Sequence, residues 1–295
     1  MRSDVKKVGK ATRVAIMWDS VAEPRQYAEK IKDESRRNTA KRYASGEHAQ
    51  SNGEVNRLLG APTVSEFFNR LDKGWQDGAE RLMKLAVREF STLSVRRRRV
   101  RGDQGDELDM QAVWRGDVSR AWTRTRRQSR PAMRQVNIVC NLGASWSTSS
   151  ETLFWRGASA LRLAAALSEA GYNVGIYGGE GGDNTGSSVN NLTVAQFVEI
   201  KAPDMPLDVS ALAAITCMSG FFRTSLFAGI VIGADLAGDT ASSSLGQPNH
   251  DLAPLAAQVG LTGCIFQPEV NSQQSAEQWI EKALEQIETP ELEAA

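Results

Sequence analysis

The sequence contains few of the residue types from which metal centres and nucleophilic sites are usually built. Only three cysteines and two histidines occur among its 295 residues. The cysteines, Cys140, Cys217 and Cys264, each lie in an apolar segment without metal-ligand spacing, which predicts buried free thiols in a reducing, cytoplasmic compartment. Two histidines, His48 and His250, are too few for a histidine-rich metal site.

Long apolar runs are also absent. None reaches the roughly 20 residues that a membrane-spanning helix requires, so we expect no membrane partner. The chain begins with a basic stretch, but only the short apolar segment Val14–Trp18 follows it, and no signal peptide is indicated. The chain lacks a Gly-x-Ser-x-Gly nucleophile motif, and neither histidine has an obvious orienting partner. The sequence therefore favours a protein that is not an enzyme.

What the chain does contain is a strong division of charge beneath a net charge of zero. Hydrophobic residues make up 41% and charged residues 24% of the sequence, as in soluble globular proteins. Residues 1–134 carry 30 of the 35 basic side chains and 18 of the 35 acidic ones. Residues 135–295 carry five basic and 17 acidic side chains. This asymmetry predicts either a basic face for an acidic partner or docking of the two halves on each other.

Three parts are predicted along the chain. Residues 1–60 have a charged, helix-forming composition, with a helix over Ala22–Ala44, and we interpret them as a basic, helical N-terminal segment. Residues 61–132 combine a helical hairpin with an arginine-rich strand and turn segment. Residues 133–295 form an α/β domain of Rossmann-like type. The predicted fold is thus a Rossmann-like sheet with flanking helices, preceded by a basic, mainly helical N-terminal region.

The arginine-rich segment is the strongest candidate for a binding surface. Residues 95–130 contain eleven arginines and no lysine. Short strands are predicted at Val95–Arg101 and Met110–Val113, joined by a Gly/Asp turn. Guanidinium groups pair with phosphates, and tryptophan rings stack on bases, yet the same groups also bind acidic proteins or form a solvated face. The candidate residues are Arg96, Arg97, Arg98, Arg99, Trp114, Trp122, Arg124, Arg126 and Arg127.

The α/β pattern begins with a strand, a helix and a second strand. The apolar segment VNIVCNLG predicts the first strand, and Thr148 with Glu151 forms a capping-box pattern that opens the helix. That helix is expected to end at Gly171, before the strand YNVGIYGG. We interpret Gly178–Gly182 as a hairpin loop, because a phosphate-binding loop would have to open a helix.

Further strands are predicted after this unit. They cover residues 191–202, the apolar stretch IVIGAD at 230–235, and CIFQ at 264–267, with a terminal helix near Ser275–Ile287. A helical pair, broken near Gly220, is expected between the first two of these strands. Alternating strands and helices of this kind predict a doubly wound sheet.

At this point the chain resembles von Willebrand factor A-like domains, specifically the divergent kind found in phage and prophage proteins. The resemblance covers roughly residues 60–240 and is carried by TLFWRGASALRLAAALSEAGYNVGIYGG, PLDVSALAAITCMSGFFRTSLFAGIVIGAD and the Gly-Trp-x-x-Gly at Gly74–Gly78. It implies a protein of the bacterial host cytoplasm, with association with the virion left open. It also implies that the turn after the first strand is the place to look for a site.

In metal-binding members of that fold, an Asp-x-Ser-x-Ser turn supplies oxygen ligands to a divalent cation. Here both registers of the turn, starting at Asn141 or at Gly143, lack the aspartate. The resemblance therefore leaves Ser145, Ser147 and Asp235 as candidate ligands for Mg²⁺, and the alternative is a helix-capping turn beside a buried strand-end aspartate. We expect no resident cofactor otherwise.

Three functions remain open from the sequence. The first is a non-enzymatic phage- or prophage-type protein whose von Willebrand A-like domain mediates assembly with another protein. The second is a nucleic-acid-binding protein that uses residues 95–130. The third is a metal- or nucleotide-dependent enzyme within the Rossmann-like half.

Overall fold

A computed structural model describes residues 1–88, 97–105, 107–127, 134–183, 191–238, 245 and 247–288. The strands are β1 (Arg2–Val8), β2 (Ala11–Trp18), β3 (Arg97–Gly102), β4 (Glu107–Leu108), β5 (Trp122–Arg127), β6 (Gln135–Asn141), β7 (Asn173–Asp183), β8 (Leu192–Lys201), β9 (Gln247–Pro248) and β10 (Cys264–Phe266). Seven of these strands form a central sheet and three form a separate small sheet.

The helices cover much of the remaining described chain. They are α1 (Glu23–Ala28), α2 (Glu34–Ala44), α3 (Glu47–Ser51), α4 (Val55–Leu59), α5 (Val64–Lys73), α6 (Gln76–Leu82), α7 (Met110–Trp114), α8 (Ser150–Glu169), α9 (Val209–Thr216), α10 (Ser219–Phe221), α11 (Phe227–Leu236), α12 (Ala253–Gln258) and α13 (Gln273–Glu288). A 3-10 turn spans Val118–Arg120, and a π-helical turn, Phe222–Leu226, joins α10 to α11.

The central sheet is mixed. Its strand order is β1-β2-β8-β7-β6-β10, with the short β9 paired to β7. Strands β10, β6 and β7 run parallel to one another, as do β2 and β8, whereas β7 pairs with β8 and β1 with β2 in antiparallel fashion. Helices lie on both faces, so the predicted α/β fold with a helix-flanked central sheet is confirmed.

The unit β6–α8–β7 follows from local sequence signals. The side chain of Ser149 accepts a hydrogen bond from the amide of Thr152 and thereby caps α8. The helix was predicted to be capped at Thr148, which is one residue too early. Beyond its C-terminus, Gly171 adopts φ of +93°, a conformation that favours glycine and ends the helix as predicted. The two strands of this unit, β6 and β7, are buried on both faces along most of their length, as parallel strands usually are.

The prediction of a mainly helical N-terminal region is wrong for its first 18 residues. Strands β1 and β2 form a hairpin, and β2 pairs in parallel with β8 inside the central sheet. Residues Val14–Trp18 are all buried, because β2 lies between two strands and has covered faces. A short, continuously apolar strand lacks the alternation that marks a half-exposed strand, which is why its pattern was misread. The predicted helix over Ala22–Ala44 is two helices, α1 and α2.

Two predicted strands are helices. The segment IVIGAD lies in α11, which is buried on all sides, and periodicity alone does not distinguish such a helix from a buried strand. Glycines on α11 let it approach the sheet, since a Cβ at Gly233 would stand 2.3 Å from Cγ1 of Val194. Residues Met110–Val113 belong to α7, where Asp109 accepts hydrogen bonds from the first amides and caps the helix.

The Gly178–Gly182 run is also not a loop. It forms the second half of β7, and Asp183 still pairs with Thr193 of β8. Gly179 and Gly181 face α12, where Leu252 packs so closely that a Cβ at either glycine would stand 2.9–3.0 Å from its methyl groups. The glycines therefore serve close packing on one face of the sheet, and they leave Glu180 pointing to the other face.

The core is unequal on the two faces of the sheet. The larger cluster joins one face to α2, α8, α9, α11 and α13. The smaller cluster joins the opposite face to α12 and the residues that follow it. Two of the three free cysteines, Cys140 and Cys217, are buried as predicted, and Cys264 is half-buried. Within the described ranges, no single helix is long enough and apolar enough to cross a membrane. Helix α9 and residues 219–236 together have the required length and apolar character, but a bend of 52° separates them.

The contact between α8 and α9 gives a test of this packing. A Cβ at Gly157 would stand 2.1 Å from the carbonyl oxygen of Thr216, so Gly157→Ala should lower the free energy of unfolding by about 1–3 kcal/mol. The expected sign is opposite to the usual stabilisation of a helix by Gly→Ala. Gly102→Ala is the control, because its nearest neighbouring atom lies 3.7 Å away. Chemical denaturation of both variants measures the effect, and unchanged stability of Gly157→Ala would contradict the packing.

Candidate functional site

A cavity lies at the sheet edge, where β6 ends and the chain turns towards α8. Ligands of α/β folds commonly bind at this place, beyond the carboxyl ends of parallel strands. The cavity has a volume of about 190 Å³, and we call it the crest pocket. Its walls are Ala144, Ser145, Trp146, Glu180, Gly181, Phe227, Ile230, Leu245, Gln247 and Pro248.

Glu180 is the only acidic side chain among these wall residues. It is buried, and its Oε2 accepts a hydrogen bond of 2.8 Å from Nε2 of Gln196 on β8. Nε2 of Gln196 also donates to the carbonyl oxygen of Leu226 in the π-helical turn. Oε1 of Gln196 accepts a hydrogen bond of 3.1 Å from Nε1 of Trp18. A chain of hydrogen bonds thus connects the pocket wall to β8, β2 and the π-helical turn.

The carboxyl group of Glu180 has an unusual electrostatic environment. Burial raises its pKa well above the usual value, and the hydrogen bond from Gln196 only partly opposes this. No charged side chain of the described residues contributes to the shift. Its second oxygen, Oε1, accepts no hydrogen bond from the described part of the chain. Burial therefore favours the protonated, neutral form of Glu180, and a cation that approaches the carboxyl group would favour the charged form.

The turn above the pocket is held by two buried guanidinium groups. Arg156 of α8 donates to the carbonyl oxygens of Gly143 and Val270 and to Oε1 of Glu269, the last at 2.8 Å. Burial lowers the pKa of Arg156, although the carboxylate of Glu269 opposes this. These bonds tie the turn to the segment that follows β10.

The second guanidinium belongs to Arg223 of the π-helical turn. It donates to the carbonyl oxygens of Arg57, Trp146 and Thr148. Burial lowers its pKa to about 10, so the group remains charged at neutral pH. Arg57 in turn lies over the ring of Trp146, with Cζ 5.9 Å from the ring centroid. The aromatic wall of the crest pocket is therefore fixed from both sides.

The residues predicted to bind a metal are only partly brought together. The hydroxyl groups of Ser145 and Ser147 lie 3.1 Å apart in the turn. Asp235 was predicted at the end of a strand beside them, and this is wrong, since it lies on α11 and forms an ion pair of 3.0 Å with Arg36 of α2. The described residues include no group of three or more His, Cys, Asp or Glu side chains placed to hold a metal ion. The turn begins at Asn141, which is buried and contacts His250.

The arginine-rich candidates lie on the small sheet. Strands β3 and β5 are antiparallel, and their register places Arg97 opposite Arg127 and Arg98 opposite Arg126. Arg99 and Arg124 lie on the same two strands, whereas Arg96 falls outside the described residues. We call residues 97–127 the arm.

The arm also carries much exposed apolar surface. The Trp114 side chain, at the end of α7, is 79% exposed, and Val118 is 60% exposed. Leu108 and Met110 are exposed as well. Trp122, in contrast, is half-buried in β5, where it pairs with Leu108 of β4. Of the two candidate tryptophans, only Trp114 is well exposed.

Several site residues were not found from the sequence. Glu180 was read as part of a loop, although a single acid between pairs of glycines in an apolar strand is an unusual pattern that could have marked it. His48 packs against Trp146 and Phe227, and neither ring nitrogen has a hydrogen-bond partner in the described chain. Burial lowers its pKa to about 4. No sequence motif distinguishes such a histidine from an exposed one.

A larger and more open groove lies on the helical side of the molecule. Its volume is about 850 Å³, and it is lined by residues of α1, α2, α5 and α9. Three basic and three acidic side chains line it, and two of them, Lys41 and Glu29, form an ion pair. It therefore has no single charge preference.

Comparison with known proteins identifies one family. The family model described as a domain of unknown function, DUF7192, matches residues 5–291. No curated protein and no solved structure matches the chain.

The buried carboxyl of Glu180 predicts a specific pH dependence of stability. Because its pKa is raised in the folded state, the folded protein keeps a proton that the unfolded chain releases above about pH 4.5, and stability is lost as the pH rises from there. Glu180→Gln should therefore be more stable than the parent at pH 8, by up to about 1.4 kcal/mol for each pH unit of the shift. Thermal unfolding at pH 4, 6 and 8 measures this, and a variant less stable at pH 8 would refute the assignment.

Proposed function

The chain belongs to the DUF7192 family, a domain of unknown function, and we propose from its geometry that it is a non-enzymatic assembly protein of phage or prophage type. We assign its central domain to the von Willebrand A-like class and the main partner contact to the arm. The class is supported by the parallel strands β10, β6 and β7 and by the serine-bearing turn after β6. The assembly function rests on the exposed surface of the arm.

The exposure of Trp114 carries this proposal. Large exposed apolar groups that lie together mark interaction surfaces, and Trp, Arg and Met are the residue types enriched at their centres. On the arm, Trp114 lies near Met110 in α7, next to strands that carry most of the arginines. The partner that fits this composition is a protein with an acidic surface around an apolar pocket.

Removal of the Trp114 side chain should weaken this contact strongly. Because a central tryptophan of an interface commonly contributes 2 kcal/mol or more, Trp114→Ser should raise the Kd for the partner by about tenfold or more. The tagged full-length chain would be used to recover partners from a nuclease-treated host lysate, and the recovered protein would then be purified and titrated by calorimetry.

Val8→Ser is the matched control for this experiment. Val8 is 56% exposed on the edge strand β1, so its substitution also removes an exposed apolar side chain but lies outside the arm. We expect this variant to bind like the parent. Equal binding by Trp114→Ser and the parent would remove the arm from the interface.

A second function, nucleic-acid binding, is favoured by the register of the arm. A two-stranded ribbon fits the major groove of DNA, and β3 and β5 form such a ribbon with arginines in opposing positions. An exposed tryptophan such as Trp114 is also suited to stacking on unpaired bases.

The double variant Arg98→Ser/Arg126→Ser tests the second function. If the ribbon binds phosphates, the double variant should weaken binding and reduce the salt dependence of the affinity by about two counterions. The control is Lys6→Ser/Arg13→Ser, which removes a basic pair that faces across β1 and β2 in the same way. Fluorescence anisotropy with single- and double-stranded probes at two salt concentrations measures both, and binding that ignores salt would rule out this function.

A further inference from the structure

We propose that the crest pocket binds one organic cation, an ammonium or guanidinium group on a short apolar stem, with Glu180 as its counter-ion. The proposal is independent of the arm and of the assembly function. It rests on the size of the pocket, on the chemistry of its walls and on the unpaired carboxylate oxygen.

The volume of the pocket limits the ligand to a side-chain-sized group. A cavity of about 150 Å³ in another protein is large enough to bind benzene. The crest pocket, at about 190 Å³, therefore has room for an alkylammonium or alkylguanidinium group and excludes nucleotides and other large cofactors.

The walls favour a cation with an apolar stem. The rings of Trp146 and Phe227 lie nearly parallel, with an interplanar angle of 21° and centroids 6.1 Å apart. Both rings line the pocket, and so do Ile230 and Leu245. Aromatic faces attract cations, and the ring of Trp146 already has the guanidinium group of Arg57 against it. Aliphatic walls and an aromatic pair suit the stem and the charged head of the ligand, respectively.

Glu180 supplies the charge that selects the ligand. One of its oxygens is bound to Gln196, and the other has no hydrogen-bond donor in the described chain. A buried carboxylate is strongly stabilised when a cation pairs with it and donates a hydrogen bond. An ammonium or guanidinium group supplies both the charge and the donor, whereas a carboxylate or phosphate ligand supplies neither.

The other ionisable groups around Glu180 are already engaged. Arg156 and Arg223 are bound to backbone carbonyl oxygens, and Asp183 of β7 accepts hydrogen bonds from Thr193 and from Asn249. His250 contacts the side chain of Asn141, and burial lowers its pKa. None of these four groups contributes to the pKa of Glu180, so the titration of Glu180 itself governs the pH dependence of ligand binding.

Calorimetric titration of the full-length chain tests the proposal. The probes are n-butylammonium and n-butylguanidinium, with n-butanol and butyrate as neutral and anionic probes of similar length. We expect saturable binding of the two cations, and binding of the other two that is at least tenfold weaker. Equal binding of n-butanol would show an apolar cavity without charge selection and would overturn the proposal, as would the absence of any binding by the cations.

Two variants locate the ligand in the pocket. Glu180→Gln keeps the shape of the side chain and should weaken binding of n-butylammonium at least tenfold, and Ala144→Leu should block binding by filling the pocket. Glu281→Gln, on the exposed face of α13, is the control and should bind like the parent. Unchanged affinity in both Glu180→Gln and Ala144→Leu would place the ligand elsewhere and refute the proposal.

Proton release distinguishes this site from other cation sites. Because burial raises the pKa of Glu180, the protonated form must lose its proton to pair with the ligand, so affinity should rise with pH below that pKa, by up to about tenfold for each pH unit. Titration in two buffers with different ionisation enthalpies measures the released proton. Binding without proton release, or saturable binding of MgCl₂ alone that Glu180→Gln abolishes, would contradict an organic-cation site.

Discussion

The turn between β6 and α8 depends on two buried arginines. A buried guanidinium is strongly unfavourable unless hydrogen bonds replace its water. Arg156 donates to two backbone carbonyl oxygens and to the side chains of Glu269 and Asn271, and the two terminal nitrogens of Arg223 donate to backbone carbonyl oxygens. Arg156 binds the turn to the segment after β10, and Arg223 binds it to α4. Because the carbonyl groups of Gly143, Trp146 and Thr148 lie outside helices and strands, the hydrogen bonds from the two arginines determine the path of the turn. The position of Trp146, and with it the shape of the crest pocket, follows from this arrangement.

Much of the α/β layout could be predicted because its signals are local. The helix α8, its end at Gly171, and the strands β6, β8 and β10 are each specified by periodicity, a cap or a flanking glycine within a few residues. The hairpin of residues 2–18 could not be predicted in this way. Its apolar strand is short and uninterrupted, and its place inside the sheet depends on pairing with β8, from Thr12 opposite Leu192 to Trp18 opposite Val198. The same ambiguity affected α11, which is apolar on every face.

The candidate site was predictable to a smaller extent. Ser145 could be predicted because ligands commonly bind at the turn after the first parallel strand. Asp235 was predicted at the end of a strand, and the segment that contains it is helix α11. Glu180 was not predicted, because the glycines around it favoured a hairpin loop. In the structure, Gly179 and Gly181 make room for Leu252. This contact depends on the packing of residues 249–252 against β7, about 70 residues away in the sequence. The packing role of these glycines therefore could not be predicted from the local sequence.

The pairing of β2 with β8 has a consequence for biogenesis. Residues 12–18 of β2 pair with residues 192–198 of β8. During synthesis, the first of these segments leaves the ribosome long before the second. The N-terminal hairpin must therefore remain unpaired on its inner edge until most of the chain has been made, and closing so long a loop slows folding. An open strand edge is a template for association with other chains, so nascent-chain chaperones have their greatest value for this protein in that interval.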